Sequence, residues 1–163
     1  MNYSVARPQI RSGDLLLFRG TGFSAWLVRQ WTGSPFSHVG LAWCIGGRVL
    51  VLESRPEYGG VTINRALSQA LGDGPTWMAL GVTWDEAMEE RALAVLGSSY
   101  GWKNSLRSAF GIRVSGDEVE CAQYVFHVLG IPAQVKETPA ALAAQFAGKP
   151  SYELEADTVK MAI

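Results

Sequence analysis

Two adjacent glycines, Gly46-Gly47, separate two strand-like runs, and no other feature of this chain limits its fold as tightly. Residues 36–45 read FSHVGLAWCI and residues 48–54 read RVLVLES. A Gly-Gly pair between such runs favours a two-residue hairpin turn. With Ile45 opposite Arg48, Gly40 falls opposite Glu53 and His38 opposite Arg55. Paired residues share a face of the sheet, so Glu53 lies on His38's face, one diagonal step away. A turn one residue longer would flip that relation. Arg55, directly opposite His38, is placed to compete for Glu53. Along the first strand Gly40, Ala42 and Cys44 alternate with larger residues, and this small face is expected to pack closely against a helix.

The hairpin belongs to a chain of 163 residues, long enough for one sizeable core, and residues 1–163 read as a single domain. Hydrophobic residues make up 48%, which excludes a disordered chain. Fourteen basic and 15 acidic side chains leave a net charge of −1, so charge gives no argument for a nucleic-acid partner. No apolar run is long enough to span a bilayer, and the first residues, MNYSVARPQIRSGD, lack the apolar centre of a signal peptide. A cytosolic location is the resulting expectation, with export by a phage lysis system as an alternative.

The remaining elements follow from periodicity and punctuation. LLLFR (15–19) reads as a buried strand after Gly13-Asp14, and FSAWLVRQW (23–31) as a short helix stopped near Gly33. GVTIN (60–64) adds a strand, RALSQAL (65–71) a helix, and TWMALGV (76–82) another strand. Thr83 and Glu86 form a capping box for a helix carrying Met88, Ala92, Val95 and Leu96 on one face and ending at Gly97. Residues 98–110 are mixed. SGDEVECAQYVFHVLG (115–130) reads as a helix capped by Ser115 or Asp117, and Thr138-Pro139 opens a last one through Phe146. Residues 149–163 give no clear pattern. Strands and helices without regular βαβ alternation indicate an α+β fold.

Two cysteines and two histidines, with no CxxC or HExxH, predict free thiols and no metal site. On a helical wheel Cys121 edges an apolar arc of Ala122, Val125, Phe126 and Leu129. It lies near the helix start, where the dipole favours thiolate and free N–H groups can stabilise an oxyanion. Asp117, Glu118 and Glu120 oppose this unless they point away. His127 lies about 9 Å along the axis and roughly 120° around the helix from Cys121, on the polar face with Glu120 and Gln123, so it is no partner. His38 is the better base, with Glu53 as the group that orients it. Cys44 shares His38's face but lies about 20 Å away along the strand and reads as a small core residue.

GDLLLF (13–18), SHVGLAW (37–43), VLES (51–54) and ECAQYV (120–125), in that order, resemble the permuted branch of the NlpC-type papain-like cysteine hydrolases. That branch includes YiiX-like proteins and relatives of lecithin retinol acyltransferase. GSSYGW (97–102) resembles the G-x-x-Y segment before the nucleophile helix. In unpermuted relatives the Cys helix comes first; here it follows the GD and HVG strands. The resemblance implies a circularly permuted papain-like fold, an antiparallel sheet packed against the nucleophile-bearing helix, with Cys121 as nucleophile, His38 as general base and Glu53 as the polar third member. Asp14 matches the acidic GD residue, which we read as structural, and Tyr100 matches a tyrosine that either lines the cleft or packs in the core. Ala122 departs from the pattern, since many relatives carry Ser there.

The implied activity is hydrolysis of an amide through an acyl-thioester, without metal or organic cofactor, by an amidase or peptidase. Its substrate would be a peptide or acyl-amide, such as a peptidoglycan-derived peptide. Two other readings stand beside it. One is an acyltransferase or lipid hydrolase using the same Cys-His site, with the aromatic 23–36 stretch lining an acyl groove. The other is a non-catalytic binding module on the same fold.

Overall fold

A computed structural model describes residues 1–100, 120–132 and 137–157. Among these residues one antiparallel sheet holds β1 (Leu15–Phe18), β2 (His38–Ile45), β3 (Arg48–Arg55), β4 (Gly60–Ala66), β5 (Pro75–Met78) and β6 (Ser151–Glu153). Their order across the sheet is β4-β3-β2-β1-β5-β6. The helices are α1 (Tyr3–Ala6), α2 (Phe23–Thr32), α3 (Glu86–Ala94), α4 (Cys121–Val128) and α5 (Pro139–Gln145). The fold is α+β. None of these helices is long and apolar enough to cross a membrane.

The hairpin has the register its turn dictates. Ile45 faces Arg48 and Leu41 faces Leu52. Gly46 and Gly47 hold φ of 55° and 71°, the left-handed pair that a two-residue turn matching strand twist requires. β1 is buried along its whole length because both faces of the sheet are covered.

One face, with Leu15, Leu17, Val39, Leu41 and Leu52, packs on Ala122, Val125 and Phe126 of α4. The other, with Leu16, Phe18, Ala42, Val49 and Val51, packs on Tyr3, Ala6 and Ile10. This corrects the expectation for the small face of β2. Ala42 and Cys44 meet the N-terminal segment, while the larger Val39 and Leu41 face α4. The Cys44 N–H donates to Ser12 Oγ at 2.9 Å and its thiol to the Ile10 carbonyl at 3.5 Å. Small side chains there leave room for that segment to lie close to the strand.

Several boundaries differ from the periodicity. The helix expected over 65–71 is absent. β4 continues to Ala66, and two 3₁₀ turns follow at Leu67–Gln69 and Leu71–Asp73. Seven residues nucleate a helix poorly, and pairing with Val51 and Leu50 keeps Arg65 and Ala66 in the sheet. α3 is capped by Asp85, whose carboxylate accepts from the Met88 N–H at 2.8 Å, rather than by Thr83. It ends at Ala94, before Gly97, and leaves Leu96 exposed. β5 stops at Met78, because the Ala79 N–H turns to the Pro150 carbonyl and the Leu80 N–H to Asp14. Thr138 caps α5 as expected, accepting from the Ala141 N–H. Part of the unassigned tail forms β6, which pairs with β5. Residues 101–119, including Ser115 and Asp117, lie outside the described residues.

Asp14 has a structural task. Buried just before β1, its carboxylate accepts from the Arg11 N–H at 2.9 Å, Trp77 Nε1 at 2.9 Å and the Leu80 N–H at 3.0 Å. It therefore joins the N-terminal turn to the far end of β5. Asp14→Ala strands these donors and is expected to cost about 3 kcal/mol or more. Urea denaturation checks this; an unchanged midpoint contradicts the clamp.

Candidate active site

The site forms where the start of β2 meets the start of α4. Packing fixes α4: Ala122, Tyr124, Val125, Phe126 and Val128 are all buried. The Tyr124 hydroxyl donates to the Ala92 carbonyl of α3 at 3.2 Å, and burial pushes its phenol well above the ordinary range. Arg91 Nε donates to the Val128 carbonyl at 3.0 Å, placing a cation at the helix's negative end. Cys121 is the first residue of this anchored helix and is itself buried. His127 is exposed, as the wheel predicts.

His38 opens β2 opposite Phe18, with the two ring centroids 5.5 Å apart. Its Nε2 lies 2.7 Å from Glu53 Oε2. Nδ1 is the ring nitrogen not engaged by Glu53, and the Cys121 thiol is the other group that acts on the imidazole. Burial pushes His38 toward its neutral form. The Cys121 thiol and the Glu53 carboxylate beside the ring outweigh it and hold the ring's pKa up to about 9. Thus the structure brings Cys121, His38 and Glu53 together, and leaves Cys44 and His127 apart from them. The Tyr100 N–H donates to the carbonyl of Gly59, just before β4.

Glu53 is wholly buried on β3. Burial alone would raise its carboxyl, but His38 and then Arg65 overcome this and bring it down to about 2. Arg65 Nε donates to Oε1 at 2.7 Å and Nη2 to Oε2 at 3.1 Å. Arg65 escaped sequence reasoning, which considered Arg55 as the competitor for Glu53. Arg55 stands 3.6 Å from Glu53 and shares Asp73 with Arg65. Gly40 makes room beside Glu53: a Cβ there would come within 2.7 Å of the Leu52 carbonyl and 3.2 Å of Glu53 Cβ.

Glu120, the N-cap of α4, corrects another expectation. It is buried rather than part of a polar face, and its Oε1 has no hydrogen-bond partner. Burial, and next the charge of Glu137, raise its carboxyl to about 8. It is therefore largely neutral at pH 7, so its ionic repulsion of a thiolate at the next residue is mostly removed. Asp117 and Glu118 lie outside the described residues.

The metalloprotein YiiX of Escherichia coli O157:H7 has a similar solved structure, with a TM-score of 0.58 and 19% sequence identity. The match covers 74% of this chain and 64% of that one, so this chain spans less than two thirds of its neighbour. At that identity the likeness concerns the fold. No protein-family model matches the sequence, and no curated protein matches it. Among the described residues no group of three or more His, Cys, Asp or Glu side chains is arranged to hold a metal ion. The donor set here also fits one poorly, because both Glu53 oxygens already meet the Arg65 cation and Oε2 meets His38 as well.

Glu120 gives a pH dependence of known sign. Unfolded, its carboxyl ionises near 4.5; folded, it stays protonated up to about 8. The fold thus loses stability as pH rises across that window. Glu120→Gln removes this titration, so it should gain on the wild type between pH about 4.5 and about 8. Urea midpoints at the two ends decide: a constant difference excludes the effect.

Proposed function

We propose that this chain is a cysteine hydrolase of the permuted papain-like kind, cleaving an amide bond through an acyl-thioester. The observation carrying this reading is the Cys121–His38–Glu53 cluster, in which an imidazole hydrogen-bonded to a buried carboxylate also has a thiol beside it. A proton shared between Cys121 and His38 leaves thiolate and imidazolium side by side. The thiolate attacks the carbonyl carbon, forming a C–S bond, and N–H groups at the start of α4 are near enough in sequence to receive the oxyanion. The C–N bond breaks, and the leaving amine takes its proton from His38. Water then adds to the thioester carbonyl and gives a proton to His38; the C–S bond breaks, releasing the acid and returning Cys121 as thiolate beside the imidazolium. Peptides, including those derived from peptidoglycan, are the first substrates to screen. The similarity to YiiX supports the fold this reading needs.

A second reading, an acyltransferase or lipid hydrolase at the same thiol, is favoured by α2. This helix precedes β2 in the chain and exposes Phe23, Trp26 and Trp31, with Phe23 and Trp26 stacked at 5.7 Å. Such a surface suits an acyl chain better than a polar peptide. Assaying peptide amides and acyl lipids in parallel separates the two, since exclusive turnover of the lipid would replace the first reading.

A small thiol-reactive probe tests the chemistry without a known substrate. Cys121 should label faster than Cys44 and below the pH where a free thiol of pKa about 8.5 reacts. Once a substrate is found, His38→Ala should lower turnover by about 10²-fold or more. Turnover should also fall above pH about 9, where His38 loses the proton the leaving amine needs. Slow labelling, equal at the two cysteines and indifferent to His38→Ala, sinks the hydrolase reading and leaves a binding module.

A further inference from the structure

A one-residue irregularity in β4 decides where Arg65 points. Glu53 faces Thr62 and Ser54 faces Val61, but after the break Val51 faces Arg65 and Leu50 faces Ala66. In the unbroken register Val51 would face position 64, and Arg65 would lie opposite Leu50. Paired residues share a face and alternate along the strand, so Arg65 would then sit across the sheet from Glu53. The extra residue turns it onto Glu53's side, a re-aiming that bulges commonly perform beside active sites.

Once there, Arg65 is held on three sides. Two of its nitrogens fork onto the Glu53 carboxylate, and Nη1 donates to Asp73 Oδ2 at 2.7 Å. Its guanidinium lies 5.2 Å from the centre of the Phe18 ring, the same ring that flanks His38. A bidentate fork fixes a carboxylate's plane as well as its charge, which a lysine's point charge does not. The charged and titratable groups around Glu53 are His38 on β2, Arg65 on β4, Arg55 on its own strand and Asp73 on the 3₁₀ turn. Glu57 lies beyond Arg55 and Cys121 beyond His38.

We propose that Arg65, re-aimed by the β4 bulge and braced by Asp73, is a positioning residue that fixes the plane and charge of Glu53, so that Oε2 takes His38 Nε2 and Nδ1 is left for Cys121. This rests on the cysteine-hydrolase reading and deepens it. Without Arg65 a wholly buried carboxylate keeps His38 as a hydrogen-bond partner and Arg55 at 3.6 Å, but loses the fork that fixes its plane, so it ionises at higher pH and rotates more freely. Thiol activation should then fail on the acid side first.

The test is the pH profile of Cys121 labelling in wild type, Arg65→Met, Arg65→Lys and Asp73→Asn, each checked for folding by near-ultraviolet circular dichroism. In Arg65→Met the acid limb should move up by about one pH unit or more, with labelling near neutrality about tenfold slower. Arg65→Lys should restore the limb but not the rate, and Asp73→Asn should shift the limb less than Arg65→Met. A merely structural role would lower the melting temperature and leave the folded protein's profile unmoved. Superimposable profiles for folded Arg65→Met and wild type overturn the proposal. If Arg65→Met does not fold, unchanged profiles in both Arg65→Lys and Asp73→Asn overturn it. A second readout is independent of reactivity: the Glu53 carboxyl, followed by carbon NMR, should titrate near 2 in wild type and higher in the variants. If wild-type Cys121 labels slowly and ignores His38→Ala, the hydrolase reading falls. The NMR titration then still judges Arg65, because an unmoved Glu53 overturns its hold on the carboxylate.

Discussion

A carboxylate sealed inside a β-sheet is costly unless cations and donors surround it, and Glu53 imposes that demand on every strand beside it. β2 answers with His38, β4 with Arg65, and the turn after β4 supplies Asp73 to balance the second guanidinium edge. β2 also withholds a side chain at Gly40, where a Cβ would collide with the β3 backbone. The β2–β3–β4 meander is therefore tied by one charge cluster as well as by ladder hydrogen bonds. Breaking one member leaves others buried and unpaired, so the cluster resists piecemeal change more than a row of surface ion pairs would.

The same cluster links architecture to chemistry. A histidine sealed in the protein would ordinarily be neutral, and a carboxyl next to a thiol would ordinarily place a negative charge beside it. Glu53 and Cys121 reverse the first tendency. Burial of Glu120 in its acid form removes most of the second. Both effects depend on water being excluded from the start of α4, and hence on the apolar packing of α4 against Val39, Leu41 and Leu52. Burial of the helix and the reactivity proposed for Cys121 are in this sense one requirement.

The legible and illegible parts of the sequence divide by the range of the forces involved. Gly46-Gly47 fixed the β2–β3 register, and with it Glu53's place beside His38, because a two-residue turn leaves the strands no freedom to slip. The α5 cap at Thr138 and the helix at Phe23–Thr32 were legible because capping and stop signals act within one turn. Thr83 misled because the helix starts two residues later, where Asp85 offers a charged acceptor to the Met88 N–H. The helix read over 65–71 failed because strand pairing with β3 outweighed a short stretch of helical propensity.

By itself, then, the amino-acid sequence determined the hairpin, most of the elements and the α+β class, all consequences of neighbours along the chain. Tertiary structure alone decided which face of β2 meets α4, that Asp14 clamps β5, and that Arg65 rather than Arg55 grips Glu53. Each of these turns on a contact between distant segments or on one extra residue in a strand. A bulge of that kind has no reliable signature in composition or periodicity, because it exists only relative to the strand it pairs with.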